Sequence, residues 1–427
     1  MLDARASGSP APLRDARLPA VEALLGPAAP ELMEAAVRPH GGSIGSLRPS
    51  FVEYWPGSRI HVRYDATVIY PSGPVGDTLV AVGGGQGTPP GPAVPVELGD
   101  GTMVGVWRFP QDPALRGLPA ATDPTFVREL LAEVGIAEQA PRIRTVGYSP
   151  LSRAVIEVAA ERPTRVVVQP GRGPRWARAQ PLVYLKVRRR ERAVQMRRAH
   201  ESLTSVVPIA RCLVFREELG LLVLEPLSGE PLWDRLVGGA AVPAPEELLE
   251  LVEGLDGISF PEASPRPTVS QSVLMNAAML LAVAPESAEA IESFLEAFGE
   301  DIPQPTVNIH GDFHELQVLL DPHGRVGGLL DLDDAGRGQR IDDLAMLVGR
   351  LSCFAQTEPD PHGRVQAYVD RLLEGFSQHV DGRELRRRAA GVALNHATGP
   401  FRFQAHHWRA QTRTAIDRAR RMLPAAT

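Results

Sequence analysis

The sequence has few cysteines and no long apolar run, and both shortages exclude classes of protein. Cys212 and Cys353 are the only cysteines among 427 residues, too few for a disulfide framework. The longest apolar stretch, residues 273–283, is interrupted by Asn276 and is too short to span a bilayer. The N-terminus places Asp3 and Arg5 before any apolar run, unlike a secretory signal. We therefore expect a cytoplasmic protein with reduced thiols and no membrane partner.

The chain also lacks an excess of positive charge. Asp and Glu number 51 against 45 Lys and Arg, which gives a formal net charge of −6. Nucleic-acid binding needs a clustered positive surface, so we expect no nucleic-acid partner. One run of arginines stands out, and we interpret it as a solvated helix face: Arg188, Arg189, Arg190, Arg192, Arg197 and Arg198.

The order of sequence patterns predicts an α+β protein with two lobes. Strands with one helix come first, and helices around a small β-hairpin follow, which is not an alternating βαβ order. The length allows two or three domains. We predict four parts: a partly helical segment at residues 1–42, an added N-terminal α/β module at 43–141, a β-rich lobe at 142–226 and a helical lobe at 227–427.

Short-range patterns place the strands and helices. Residues 51–64 alternate apolar and polar side chains about Pro56-Gly57, which predicts a β-hairpin. A helix over residues 124–134 is expected to begin after Asp123, a preferred capping residue. The other predicted segments are an amphipathic stretch at 21–37, a loop at 83–95, strands at 102–109, 165–169, 182–187 and 221–224, and a helix at 190–203.

A second hairpin pattern, at residues 145–158, resembles the first. Five positions match in spacing, namely Val52, Tyr54, Pro56, Ser58 and Arg59 with Val146, Tyr148, Pro150, Ser152 and Arg153. Turns favour Pro and Ser, so chance explains the match as well as two related β-modules do.

The most informative stretch is residues 310–334. It reads His-Gly-Asp-Phe-His-Glu-Leu-Gln-Val-Leu-Leu-Asp, then a Pro-His-Gly turn, and ends in Leu-Leu-Asp-Leu-Asp-Asp. A hairpin here would bring Asp312, Gln317 and Asp331 around one small volume. Phosphoryl transfer needs such a set, because one group must orient the acceptor hydroxyl and hard oxygen ligands must hold magnesium.

This motif, with Asp-Leu-Ala beginning at Asp343, resembles the aminoglycoside phosphotransferase and choline kinase superfamily, which has the protein-kinase-like fold. The usual family pattern has Asn where this chain has Gln317. The Gln variant is similar to bacterial maltokinases and related aminosugar kinases. The similarity covers about residues 142–427. It implies that 142–226 bind nucleotide, that 227–427 carry the catalytic loop and acceptor pocket, and that 43–141 cap the small lobe.

The resemblance also implies a role for each matching residue. Asp312 would be the catalytic residue that orients the acceptor hydroxyl or accepts its proton, and Gln317 and Asp331 would be magnesium ligands. A single Asp is more often a cap or turn residue, so the whole set at this spacing is what indicates a site. His310 and His314 are implied to support the site or bind the acceptor, and Asp333 to support the metal or the acceptor. Asp343 is implied to hold the catalytic loop through hydrogen bonds.

Lys186, at the end of an apolar strand, resembles the family's third-strand lysine, which contacts donor phosphates. An edge lysine that snorkels to solvent is the alternative. The family lysine pairs with a helix glutamate, and of Glu191 and Glu201 the spacing favours Glu201. The other implied nucleotide-binding residues are Ser149, Ser152 and Arg153, in a glycine-free turn that is equally well a plain hairpin, and Glu225 and Leu227 of the hinge.

The last helices carry aromatic and histidine residues where the family builds its acceptor pocket. Core packing is their default interpretation, with sugar stacking by Trp408 as the functional alternative. The histidines lack the Cys/His spacing of a transition-metal site. These residues are His396, Phe401, Phe403, His406, His407 and Trp408.

We therefore predict a kinase that uses ATP or GTP and Mg²⁺ to phosphorylate a hydroxyl of a small molecule, a sugar or aminosugar. One alternative is an aminoglycoside antibiotic phosphotransferase, against which Gln317 argues. The other is a catalytically silent kinase-like ligand-binding protein, which would typically lose the base or the metal ligands. This chain keeps all of them, namely Lys186, Asp312, Gln317 and Asp331. The sequence makes no prediction of the oligomeric state.

Overall fold

The computed structural model describes residues 13–85, 87, 89–161, 181–204, 207–257, 266–357 and 362–424. The strand predicted at residues 165–169 and positions 1–12 of the predicted N-terminal segment lie outside these residues. The helices are α1 (Ala20–Leu25), α2 (Ala29–Val37), α3 (Leu118–Ala121), α4 (Pro124–Glu133), α5 (Arg190–Leu203), α6 (Leu232–Gly238), α7 (Pro245–Glu253), α8 (Val269–Val283), α9 (Ala288–Phe298), α10 (Arg340–Thr357), α11 (Arg364–Phe376), α12 (Gly382–His396), α13 (Gly399–Arg402) and α14 (Trp408–Met422). The strands are β1 (Ser43–Trp55), β2 (Arg59–Tyr70), β3 (Gly73–Gly84), β4 (Val94–Glu97), β5 (Met103–Arg108), β6 (Arg142–Ser149), β7 (Arg153–Ala159), β8 (Pro181–Arg188), β9 (Cys212–Arg216), β10 (Leu221–Leu224), β11 (Glu230–Pro231), β12 (Thr306–Ile309), β13 (Val318–Leu320), β14 (Val326–Leu329) and β15 (Gly336–Gln339).

The chain folds as two compact units. The first ends at Pro113 and also includes Pro400–Trp408, and the second comprises Ala114–Gly399 and the residues from Arg409 onward. The mixed α+β class is as predicted. The boundaries proposed at residues 42, 141 and 226 stay predictions.

The first unit is built on a five-stranded antiparallel sheet of order β1-β2-β3-β5-β4. Alternate residues of β2, among them Ile60, Val62 and Tyr64, are buried, because successive side chains of a strand point to opposite faces. The Tyr64 hydroxyl donates to the Leu24 carbonyl at 2.5 Å and ties α1 to the sheet. The amphipathic stretch predicted at 21–37 is two helices, because Gly26-Pro27 separates α1 from α2.

The β-rich lobe of the second unit is a five-stranded sheet of order β6-β7-β8-β10-β9. All four residues of β10 are buried, and Leu222 and Leu224 share a core cluster with Ala193 and Met196 of α5. The bounds of α5 and β10 agree with the predicted helix and strand. The predicted cap of α4 is also present, since the Asp123 carboxylate accepts the Phe126 N–H at 2.8 Å.

The two five-stranded sheets have the same strand order along the chain, first-second-third-fifth-fourth. Each opens with a hairpin at one of the two matched sequence positions. The third residue of each turn has positive φ, 65° at Gly57 and 61° at Leu151. The shared order and turn favour the interpretation as two related β-modules over a chance match.

The helical lobe surrounds two small antiparallel sheets, β11-β13-β14 and β12-β15. Its core includes Leu344, Leu347 and Leu351 of α10 together with Tyr368 and Leu372 of α11. One loop, residues 310–317, joins β12 to β13, and a second, residues 330–335, joins β14 to β15. The core helices therefore support a short β-framework from which both polar loops emerge.

In the described part of the chain, no single helix is long and apolar enough to cross a membrane. Val269–Val283 and Pro285–Phe298 pass on length and composition only as a pair, and they are bent by 118°. The predicted core helix at 273–283 lies within α8, where Val273, Ala277 and Leu280 are buried.

Candidate active site

The loops at 310–317 and 330–335 lie directly against each other. The Leu330 N–H donates to the Gln317 carbonyl at 2.8 Å, and His310 Nε2 lies 2.8 Å from the Leu330 carbonyl. Gly311 has a φ of 81°, and a Cβ atom there would lie 2.2 Å from the Asp334 carbonyl oxygen. Only glycine fits this position without strain, which explains its place in the motif.

Asp343, near the start of α10, lies beneath the first loop. Its carboxylate accepts the backbone N–H groups of His310 at 2.7 Å and Gly311 at 2.8 Å. Its near-complete burial raises its pKa to about 6, against the effect of His310 and the two backbone hydrogen bonds. The carboxylate therefore links the core helix to the backbone on either side of the Gly311 turn.

Asp312, the predicted catalytic residue, has a side chain that is 33% exposed. Its Oδ2 lies 3.6 Å from Nε2 of His314, which is buried. The same imidazole nitrogen lies 3.2 Å from the Gln317 amide. The loop thus places an accessible carboxylate beside a buried histidine and a predicted metal ligand, where a hydroxyl could approach from solvent.

Behind this loop lies a buried ion pair that the sequence did not reveal. Glu315 is fully buried, and the Arg350 guanidinium donates to it from Nη2 at 2.7 Å and from Nε at 3.1 Å. Arg350 Nη1 also lies 3.4 Å from Nε2 of His396. Burial is the main cause, and Arg350 the second, of the lowered pKa of His396, which is about 4. This imidazole is therefore neutral at pH 7.

Three cations surround Asp331 and Asp333, two of the three aspartates of the second loop. Lys186 Nζ lies 2.6 Å from one oxygen of Asp331 and 2.6 Å from one oxygen of Asp333. Arg153 Nη1 lies 3.2 Å from the other Asp331 oxygen and 2.8 Å from the other Asp333 oxygen. Arg188 Nη1 lies 2.5 Å from that same Asp333 oxygen. Strands β7 and β8 of the sheet therefore place three positive charges against the loop at residues 330–335, called the aspartate loop below.

These cations keep Asp331 ionised. Burial would raise the pKa of Asp331, but Lys186 and Arg153 outweigh burial and hold this pKa well below its usual range. The backbone of Asp331 has a φ of 55°, a conformation that non-glycine residues rarely adopt and that is found at functional sites. At Asp334 burial dominates and raises the pKa, opposed by Arg266 at 3.0 Å.

The donor set fits magnesium, because the Asp331 carboxylate and the Gln317 amide oxygen are the hard ligands that this ion prefers. Within the described ranges, no three His, Cys, Asp or Glu side chains are arranged to hold a metal ion. Magnesium usually keeps several water and phosphate ligands, so two protein ligands are compatible with it.

The turn and the hinge that were predicted to bind nucleotide both contact arginine side chains. Ser149 and Ser152 close a tight β-turn, and the Leu151 carbonyl within it accepts from Arg189 Nε at 2.7 Å. The Glu225 carboxylate is bound by Arg211, with Nη2 at 2.8 Å. Leu227 packs close to Gly328, where a Cβ would lie 3.2 Å from its Cδ1. The roles predicted for these residues stay predictions.

Two predicted placements differ from the structure. Glu201 is not at Lys186; it lies on the exposed side of α5 and pairs with Arg197 at 2.7 Å. Arg188 is not on a solvated helix face; it is the last residue of β8, and its side chain is 11% exposed. Arg188 lies two residues after Lys186, so the period of a strand places both on one face of the sheet.

Trp408 lies in the first unit, whereas Asp312 lies in the second. Its ring contacts Phe401 with centroids 5.0 Å apart, and the His406 and His407 rings are 3.9 Å apart. A role of Trp408 in acceptor binding stays a prediction.

One signal in the sequence could have strengthened the choice of Lys186. Lysine and arginine together number 45, and Lys186 is the only lysine among them. A lysine ammonium is a compact point charge, whereas a guanidinium is a planar fork. Because all the remaining lysine-or-arginine positions are arginine, the single lysine is a candidate for a position where the compact charge is needed.

The model of the phosphotransferase enzyme family (APH) matches residues 155–387. Among solved structures, the chain is similar to aminoglycoside phosphotransferase APH(3'')-Id from Streptomyces rimosus, at 18% identity over 62% of this chain and 95% of that one, with a TM-score of 0.41. It is also similar to a thermostable mutant of aminoglycoside phosphotransferase APH(4)-Ia, solved with ADP and hygromycin B, at 14% identity over 70% and 99%, with a TM-score of 0.44. A third is macrolide 2'-phosphotransferase MphH from Brachybacterium faecium, at 16% identity over 68% and 97%, with a TM-score of 0.41. No curated protein matches the chain.

Proposed function

The chain belongs to the phosphotransferase enzyme family, and we propose that it transfers the γ-phosphoryl group of ATP or GTP, with Mg²⁺, to a hydroxyl of a neutral or singly amino-substituted sugar. The main support for this class of acceptor is the balance of charges around Asp312.

Among the described residues, two carboxylates near Asp312, those of Glu315 and Asp334, are already paired. Arg350 binds Glu315 at 2.7 Å, and Arg266 binds Asp334 at 3.0 Å. His396 is neutral at pH 7, because burial lowers its pKa to about 4. Asp312 is thus surrounded by balanced charges and imidazoles, which suit hydrogen bonds to hydroxyl groups. A multiply charged aminoglycoside would need unpaired carboxylates to balance its ammonium groups.

On the donor side, Lys186 and Arg153 are the cations suited to bind the phosphates. Asp331 and Gln317 would hold magnesium, which would neutralise charge on the phosphates. Asp312 then orients the acceptor hydroxyl and takes its proton. The hydroxyl oxygen forms a bond to the γ-phosphorus as the bond from that phosphorus to the β-phosphate oxygen breaks, which releases ADP or GDP.

A coupled assay of nucleoside diphosphate release by the full-length chain tests the proposal. We expect release to be stimulated by mono- or disaccharides and little changed by multiply charged aminoglycosides. Asp312→Asn, prepared in parallel, reveals any contaminating host kinase. Strong turnover of aminoglycosides without a response to sugars would contradict the acceptor class while leaving the phosphotransferase chemistry intact.

A further inference from the structure

We infer that Asp333, rather than a glutamate of α5, is the residue that positions Lys186, and that Arg188 holds Asp333 from the other side. The inference rests on the proposed function only in that Lys186 is the residue that binds the donor phosphates. It assigns a role to Asp333 and introduces Arg188 as a positioning residue of the site.

Asp333 is the most enclosed carboxylate in this cluster. Its side chain is 2% exposed, and its Oδ1 forms an ion pair with Lys186 Nζ at 2.6 Å, while the hydrogen bond of Lys186 goes to Asp331. Its Oδ2 lies 2.5 Å from Arg188 Nη1 and 2.8 Å from Arg153 Nη1. A carboxylate in a buried site needs such compensation, because loss of one partner leaves an uncompensated charge. The contacts therefore form a buried chain of alternating charge, from Arg188 through Asp333 to Lys186.

Helix α5 does not supply an alternative partner at this point. Glu201 is 53% exposed and engaged by Arg197, and Glu191 is also exposed. The buried titratable side chain of α5 is His200, whose Nδ1 lies 2.8 Å from the Ala210 carbonyl. A histidine side chain carries no negative charge whether or not it is protonated, so His200 cannot balance an ammonium group.

Asp331 and Asp333 of the loop are suited to different tasks. The Asp331 side chain is 22% exposed, so a metal ion could reach it. Phosphates could then replace Asp331 as the partners of Lys186 and Arg153. Asp333 is shielded from solvent and held by Arg188, so it can keep Lys186 in place while Asp331 changes partners. Asp333 thereby fixes strand β8 to the aspartate loop of the helical lobe.

The single lysine of the chain makes this contact directly measurable. Protein grown on lysine carrying ¹³C at Cε gives one lysine side-chain methylene signal in a ¹H–¹³C correlation spectrum. We expect two inequivalent Hε protons in the wild type, because Lys186 is held in one conformation. Asp333→Asn should merge them into one averaged signal, and Glu201→Gln should leave them unchanged. An unchanged signal in Asp333→Asn, or a merged signal in Glu201→Gln, would overturn the inference.

A second variant covers the case in which Asp333→Asn does not fold. Arg188→Met combined with Asp333→Asn removes both charges of the buried pair and leaves less uncompensated charge. The averaged lysine signal is expected again, and inequivalent protons in this variant would contradict the inference. In whichever of these two variants folds, kcat should fall at least about tenfold while the KM for ATP changes less than about threefold. This is the result expected when Lys186 is present but misplaced.

Addition of ADP to the same labelled wild-type protein separates this inference from the proposed function. A shift of the Lys186 signal would support its role toward the donor. If ADP leaves the signal unchanged, the donor role of Lys186 is wrong, but averaging caused by Asp333→Asn would still support the Asp333 contact.

Discussion

Replacing Asp343 by Asn should loosen the catalytic loop without unfolding the chain. The carboxylate accepts two backbone N–H groups, from His310 at 2.7 Å and from Gly311 at 2.8 Å. An Asn side chain keeps one acceptor oxygen and turns an NH₂ group toward the other N–H, so one hydrogen bond is lost. A hydrogen bond to a charged group contributes about 1.5–3 kcal/mol. The equilibrium for local opening of the loop should therefore rise about 10- to 150-fold.

Hydrogen exchange measured by mass spectrometry tests this prediction in the peptide that spans residues 309–316. Exchange of that peptide should accelerate by the stated factor in Asp343→Asn, while peptides of β8 and α11 keep wild-type rates. Asp370→Asn is the matched control, because this carboxylate is exposed on α11 and its hydrogen bond among the described residues comes from the Gln366 side chain. Exchange of the 309–316 peptide within twofold of wild type would refute the assigned role of Asp343.

Two further predictions concern the metal and pH. Asp331→Asn should abolish phosphoryl transfer, and excess Mg²⁺ should restore little of the activity. Gln317→Ala should mainly raise the Mg²⁺ concentration needed for activity. If Asp331→Asn behaves like the wild type in a magnesium titration of activity, the metal lies elsewhere. When the pH falls from 7 to 5, the free energy of unfolding of the wild type should fall by up to about 2 kcal/mol more than that of His396→Gln. The reason is that burial lowers the pKa of His396 to about 4, so this ring takes up a proton in the unfolded chain but not in the folded one. Equal shifts of the two calorimetric melting temperatures would contradict this prediction.

The segments that the sequence predicted best have strong local signals. Helix α5 and strand β10 have the predicted bounds, and α4 begins after its Asp123 cap. The loops at 310–317 and 330–335 lie together as expected, because polar residues at the ends of short apolar runs meet when those runs form hairpins. A turn within residues 321–325 is part of the same pattern, with the Gly324 N–H donating to Asp321 at 3.0 Å.

The partners of individual charges could not be predicted in the same way. Glu201 was expected at Lys186, but Arg197 lies four residues earlier on the helix and offers a nearer partner. The Glu315–Arg350 pair joins residues 35 positions apart, which depends on how α10 packs beneath the loop. The placement of Trp408 in the first unit likewise depends on long-range packing that local patterns do not encode.

The most direct test of the account is the turnover of Asp312→Asn, measured beside its nucleotide affinity. Asp312 is accessible, whereas Lys186 and Arg153, the cations proposed to bind the donor, lie on the sheet, so the substitution should separate chemistry from binding. We predict that acceptor phosphorylation falls about 10²-fold or more, the effect expected of a lost general base, while ATP affinity by calorimetry stays within a few fold of wild type. Turnover near that of the wild type would contradict the assignment of Asp312 and, with it, the proposed mechanism.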